Sequence, residues 1–104
     1  MDDQEFAQRA DQVLAHIEAV LEAAGDDLDF ELAPGGVLEI EFGDNSQMVI
    51  NRHAIAKEIW VAARSGGFHF RWEGGAWVDT RSGEPLMLLL SRLVSEQAGT
   101  PVQC

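Results

Sequence analysis

Along the first two dozen residues the apolar positions Phe6, Ala10, Val13, Leu14, Ile17, Leu21 and Ala24 recur at steps of three and four, and Gly25 follows them. That period belongs to an amphipathic helix with one buried stripe, and the spacing predicts it over about Asp3 to Ala24. The period then drops to two. Leu28, Phe30 and Leu32 alternate with Asp27, Asp29 and Glu31, and Leu38, Ile40 and Phe42 alternate with Glu39 and Glu41. Pro34-Gly35-Gly36 and Gly43-Asp44-Asn45 supply the turns. The pattern predicts an antiparallel hairpin, apolar on one face and acidic on the other.

"QMVINRH" reads as a third strand. "AIAKEIWVAARSGG" stays open: Ile55, Ile59 and Ala62 or Ala63 suit a helix, while "EIWVA" before Ser-Gly-Gly suits a strand. "FHFRWE", Gly74-Gly75 and "AWVDT" predict another hairpin, with Phe68, Phe70 and Trp72 read as core and His69 and Arg71 on the other side. Pro85 suits the first turn of a helix whose apolar side is Leu86, Leu89, Leu90, Leu93 and Val94 and which Gly99 ends, leaving "TPVQC" as an extended cap or loose end. A helix, five or six strands and a helix predict an α+β two-layer sandwich, both helices packed on one face of an antiparallel sheet. At 104 residues and 46% apolar, the chain is expected to be one folded domain over 1–104, not a disordered acidic tail.

Charge changes this picture more than composition does. The net charge is -11, yet residues 1 to 44 hold thirteen Asp and Glu against the single Arg9, and residues 45 to 104 hold five acids against six bases. With seven Lys and Arg in all, nucleic acid is excluded as an expected ligand, and cations or basic protein surfaces become the natural partners. The single cysteine, Cys104, allows neither an intrachain disulfide nor a Cys-based zinc site. No signal-peptide pattern opens the sequence, and "PLMLLL" is too short to cross a bilayer, so the expected compartment is the cytoplasm, with no membrane partner.

The acids are arranged. At about 100° per residue, Asp11, Glu18 and Glu22 fall within an arc of about 40° on the first helix. Asp26, Asp27, Asp29 and Glu31 continue from them through the loop and first strand, making a candidate metal site. Carboxylate oxygens are hard ligands, and an exposed line of them attracts divalent cations without enclosing any. His16 is the only imidazole nearby in sequence, so a tight ferrous centre is not expected. Such a line also steers association with a basic protein surface. Glu39 and Glu41 rank lower, as the ordinary polar face of a strand.

The same residues carry a resemblance. "DDQEFAQRADQVL", "GGVLEIEF", "VINRH" with "EIW", "SGGFHFRW", "WVDTRSGEPL" and a leucine-rich last helix follow one another as in the bacterial frataxins, over nearly the whole length. The resemblance implies about six antiparallel strands backed by two helices, which makes "EIWVA" a strand. It implies a regulator of iron-sulfur cluster assembly rather than an enzyme, one that binds ferrous or ferric iron weakly at its surface, uses no organic cofactor, and is a monomer that can oligomerise with iron. Its implied partners are the cysteine desulfurase, met by Glu18, Glu22, Asp26 and Asp29, and the iron-sulfur scaffold protein. Read alone, Trp60 is placed in the core; the resemblance instead turns Asn51, His53, Glu58 and Trp60 outward with His69, as the face meeting the scaffold. Where the family reads Asn-x-Gln-x-Pro-x-x-Gln-Ile-Trp, this chain has His53, Ile55 and Glu58 in place of both glutamines and the proline.

Other readings compete with this one. The acidic line also fits a solvated face, a ferroxidase that oxidises and stores iron, or an acidic decoy that binds a basic partner without iron. His53, Glu58 and His69 would form a metal site of their own only if neighbouring strands brought them together; otherwise they are polar surface. No catalytic residues are assigned: there is no Ser or Cys with an identifiable His partner, no phosphate-binding glycine loop, and no sequestered carboxylate pair.

Overall fold

The computed structural model describes residues 1–24, 28–99 and 101–102. Helix α1, Asp3–Ala23, starts where the Asp2 side chain accepts the Glu5 backbone N–H at 2.7 Å, satisfying one of the free donors of the first turn. Its buried stripe is Phe6, Ala10, Leu14, Ile17 and Leu21, five of the seven positions that the spacing predicts; Val13 is half-buried and Ala24, just past the end of the helix, is exposed.

Six strands follow: β1 Leu28–Ala33, β2 Val37–Phe42, β3 Gln47–His53, β4 Glu58–Ala63, β5 Gly66–Glu73 and β6 Ala76–Asp79. They form one antiparallel sheet in chain order, each strand beside the next. The ambiguous segment is therefore strand β4, pairing Ile59 with Arg52 on one side and with Phe70 on the other. Helix α2, Leu86–Ala98, completes the sandwich. Pro85 stands just before it, and Gly99 ends it in the left-handed conformation (φ 76°) that a residue without Cβ adopts at no steric cost.

Leu38, Ile40, Met48, Ile50, Ile59, Val61 and Phe70 bury one face of the sheet together with Leu89, Leu90, Leu93 and Val94 of α2 and the stripe of α1. A fully buried side chain of this kind contributes about 1.5–3 kcal/mol relative to its exposed state. Both helices thus occupy one face, and among the described residues the other is uncovered. One core expectation is corrected: Leu32 is 44% exposed, because β1 is an edge strand with a neighbour on one side only.

Two contacts lock the helices in register with the sheet. On β5 and β6, Trp72 and Trp77 meet edge to face at 5.5 Å, Phe6 of α1 meets Trp77 at 6.0 Å, and the Arg9 guanidinium lies 4.4 Å over the Trp72 ring. On α2, the buried Gln97 amide donates to Ser46 Oγ at 2.9 Å and to the Gln47 carbonyl at 3.0 Å, and accepts the Arg64 N–H at 3.3 Å. The tail returns to the same helix, where Ser95 Oγ donates to the Val102 carbonyl and accepts its N–H.

Candidate functional site

Strand alternation decides which acids share a surface. On β1 and β2 the even residues from Leu28 to Phe42 face the helices, so Asp29, Glu31, Glu39 and Glu41 face the uncovered side. The hairpin register sets Asp29 directly opposite Glu41, and Glu31 directly opposite Glu39. With Gln47 of β3 they line a shallow depression. Glu39 and Glu41, ranked low from sequence, thus belong with Asp29 and Glu31. The signal was present: a turn over Pro34-Gly35-Gly36 that pairs Leu32 with Leu38 necessarily pairs the acids between them.

Asp11, Glu18 and Glu22 project from α1, in the other layer. Asp26 and Asp27 lie outside the described residues. The carboxylates therefore stand on both sides of the β1 edge. Asp11 also has a basic partner that the local sequence does not suggest: Arg52 of β3 donates to it, Nη1 to Oδ1, at 2.6 Å.

Pairing of this kind is general among the bases. Arg9 holds Glu5, Arg52 holds Asp11, Lys57 holds Asp3, Arg64 holds Asp44, Arg71 holds Glu73 and Arg92 holds Glu84. Among the described residues nine acids make no ion pair with a cation of the chain: Asp2, Asp79 and Glu96 stand apart, and Glu18, Glu22, Asp29, Glu31, Glu39 and Glu41 lie on α1 and the β1–β2 hairpin. The excess negative charge is therefore focused at the α1 and β1–β2 side. Among the described residues no three His, Cys, Asp or Glu side chains converge on one point as a metal-ligand set would.

Across the rest of the uncovered face, Asn51, Trp60 and His69 lie in one row of the register, and His53, Glu58 and Arg71 in the next. Trp60 is half-buried, but not in the core. His53 stacks on one face of its indole, with ring centroids 3.8 Å apart and planes 13° apart, and His69 on the other at 4.5 Å and 11°. The indole N–H donates to Glu58 Oε1 at 2.8 Å, and the same oxygen lies 3.6 Å from His69 Nδ1. Asn51 donates to the Arg52 carbonyl at 3.3 Å. Because Trp60 separates the two imidazoles, His53 and His69 do not meet on a common ion.

Comparisons with known proteins agree with this architecture. The frataxin-like domain model matches residues 1–100. The iron-sulfur cluster assembly protein CyaY of Dechloromonas aromatica is 65% identical over 102 residues, covering 98% of this chain and 97% of that protein. That of Cupriavidus pinatubonensis is 50% identical, covering 94% and 91%. Among solved structures, the frataxin of Psychromonas ingrahamii superposes with a TM-score of 0.90 at 34% identity, covering 99% of this chain and 97% of that one. Trimeric yeast frataxin complexed with ferrous iron superposes at 0.70 with 29% identity, covering 96% and 88%. With a family match over nearly all of its length and relatives this similar, the chain belongs to the frataxin family.

Proposed function

We propose that this protein is a non-enzymatic regulator of iron-sulfur cluster assembly, and that it carries ferrous or ferric iron weakly as cargo on its carboxylates. The observation that supports this most is the distribution of bases: six of the seven are spent on internal pairs, and the acids at the α1 and β1–β2 side are left uncompensated. Relatives up to 65% identical are iron-sulfur cluster assembly proteins, and one structural relative binds ferrous iron. Hard oxygen donors without an enclosing geometry give weak, exchangeable binding, which suits delivery rather than storage or turnover.

On this reading the same negative field guides docking on the basic surface of the cysteine desulfurase, and the Trp60 face meets the scaffold protein. Iron and desulfurase then compete for one surface. Ferrous titration of the labelled chain is expected to broaden amides from Glu18 to Glu31 and those of Glu39 and Glu41. Broadening confined to His53 and His69 would overturn the assignment. For docking, the combined substitutions Glu18→Gln, Glu22→Gln, Asp29→Asn and Glu31→Gln are expected to weaken desulfurase binding, most at low salt; unchanged affinity would remove the electrostatic mode.

A further inference from the structure

We propose that the stack of His53, Trp60 and His69 is a proton-operated device that sets the conformation of the β3–β4 turn, and with it the shape of the uncovered face. Imidazole is the side chain whose charge ordinarily changes between about pH 5 and 8. Here two imidazoles flank one indole, and each has a further partner that distinguishes its neutral from its charged form.

His53 is held by its lone pair. Its Nδ1 accepts the Ala56 backbone N–H at 3.2 Å, which closes the turn between the strands. A proton on that nitrogen converts the acceptor into a donor, so the bond is lost and two N–H groups oppose each other. The turn depends on such support: Lys57 sits at φ 55°, an uncommon conformation for a residue with a side chain, and the tip residue Ile55 is 92% exposed and makes no packing contribution of its own. Among the described residues the other side-chain anchor of the turn is the surface ion pair of Lys57 with Asp3 at 3.1 Å.

His69 responds in the opposite sense. Its Nδ1 lies 3.6 Å from Glu58 Oε1, the oxygen that also accepts the Trp60 N–H. A proton there creates an ion pair with Glu58, an attraction that His53 does not share, whereas a cation on the indole face is common to both rings. Of the other charges on the flanking elements, Arg52 of β3 points to the helix layer and holds Asp11, and Arg71 of β5 holds Glu73; β6 presents the neutral Val78 opposite Arg71, and beyond it Thr80 donates its N–H to the His69 carbonyl, with the base Arg81 next in the chain. Glu58 is thus the counter-charge facing the stack. Protonation tightens the β4–β5 side around Trp60 and releases the β3–β4 turn. Any partner that reads this face meets two different surfaces on the two sides of the histidine titrations.

The test is an NMR pH titration of the full chain from pH 8 to 5, following the side chains of His53 and His69, the Ala56 amide and the Trp60 indole N–H. The Ala56 amide is expected to shift with the midpoint of His53, and the Trp60 N–H with that of His69. His53→Gln, whose amide oxygen can accept from Ala56 without titrating, is expected to abolish the Ala56 response and keep that of Trp60; His69→Gln should do the reverse. An Ala56 amide and a Trp60 N–H that stay fixed while both histidines titrate would overturn the proposal, as would an Ala56 response that survives His53→Gln. The unsubstituted chain alone decides the first of these.

Discussion

Arg52 of β3 and Asp11 of α1, 41 residues apart in the chain, are joined at 2.6 Å across the edge of the helix layer. The pair is partly exposed, the side chains being 28% and 63% accessible, so its worth is set by solvent screening. Arg52→Met, which keeps the apolar stem, is expected to cost about 0.5–1 kcal/mol, less at high salt. A double-mutant cycle with Asp11→Asn in urea unfolding measures the coupling directly; a cycle that gives none would show that the pair contributes no stability.

The stem of Arg52 has a second contact. A Cβ placed on Gly36 would fall 2.6–2.8 Å from Arg52 Cγ, Cδ and Nε, and Gly36 itself sits at φ 76°. Gly36→Ala is therefore expected to destabilise by about 1–2 kcal/mol, from left-handed strain plus displacement of Arg52. If the displacement matters, the Arg52–Asp11 coupling should shrink in the Gly36→Ala background.

How far these relationships were legible in the sequence depends on their range. The period of three and four from Phe6 to Leu21, and the period of two from Leu28 to Phe42, are local signals that buried most of the residues they pointed to, with Val13 and Phe30 half-buried and Leu32 exposed on the edge strand. The pairing of the acids on the first strands is equally readable, because a turn that sets Leu32 opposite Leu38 also sets Glu31 opposite Glu39 and Asp29 opposite Glu41. Trp60 was different. Ile59 and Val61 go to the core, so alternation turns Trp60 outward, but its half-burial comes from two histidines on two other strands, a contact that periodicity along one strand does not encode. The partners of the bases were also invisible: Arg52 with Asp11 and Arg64 with Asp44 meet only once the sheet is assembled.

Trp77 supplies a test of an orphaned donor. Its ring is buried between Phe6 and Trp72, and its Nε1 has no hydrogen-bond partner among the described residues. An unsatisfied buried donor costs about 1–3 kcal/mol, so Trp77→Phe removes a cost while losing packing. The expected net change is within about 1 kcal/mol, against about 3–5 kcal/mol for Trp77→Ala. Thermal unfolding of the two variants separates the contributions.

Gln97 is the opposite case, a buried polar group with every partner in place. Gln97→Leu keeps the volume but strips Arg64 N–H and the Gln47 carbonyl of their partners. A loss of about 2–3 kcal/mol is expected in chemical unfolding, with the α2 end of the core loosened first in hydrogen exchange.

Asp44 gives a pH dependence of known sign. The Ser46 hydroxyl donates to it at 2.6 Å and the Ser46 backbone N–H at 2.9 Å, with Arg64 adding a charge at 2.8 Å, and together they hold its carboxyl below the ordinary 3.8. A depressed folded value means that the stabilisation is complete above the ordinary value and is lost as pH falls through the lower one. Asp44→Asn should therefore flatten the acid limb of stability below about pH 4 and leave the neutral limb parallel to that of the unsubstituted chain. Unfolding midpoints across that range check it.

The paired acids of β1 and β2 permit the sharpest separation of fold from function. Like charges directly opposite on an antiparallel pair destabilise it, and here two such pairs, Asp29 with Glu41 and Glu31 with Glu39, lie side by side. Glu39→Lys turns one repulsion into an attraction and is expected to raise stability by about 0.5–1 kcal/mol. Added salt should stabilise the unsubstituted chain more than this variant, because there is less repulsion left to screen. If these carboxylates are kept for a cation, the same substitution must weaken iron binding while it strengthens the fold. Parallel melting and ferrous titration of one variant read both quantities, and a variant that gains stability with iron binding intact would assign Glu39 to the sheet alone.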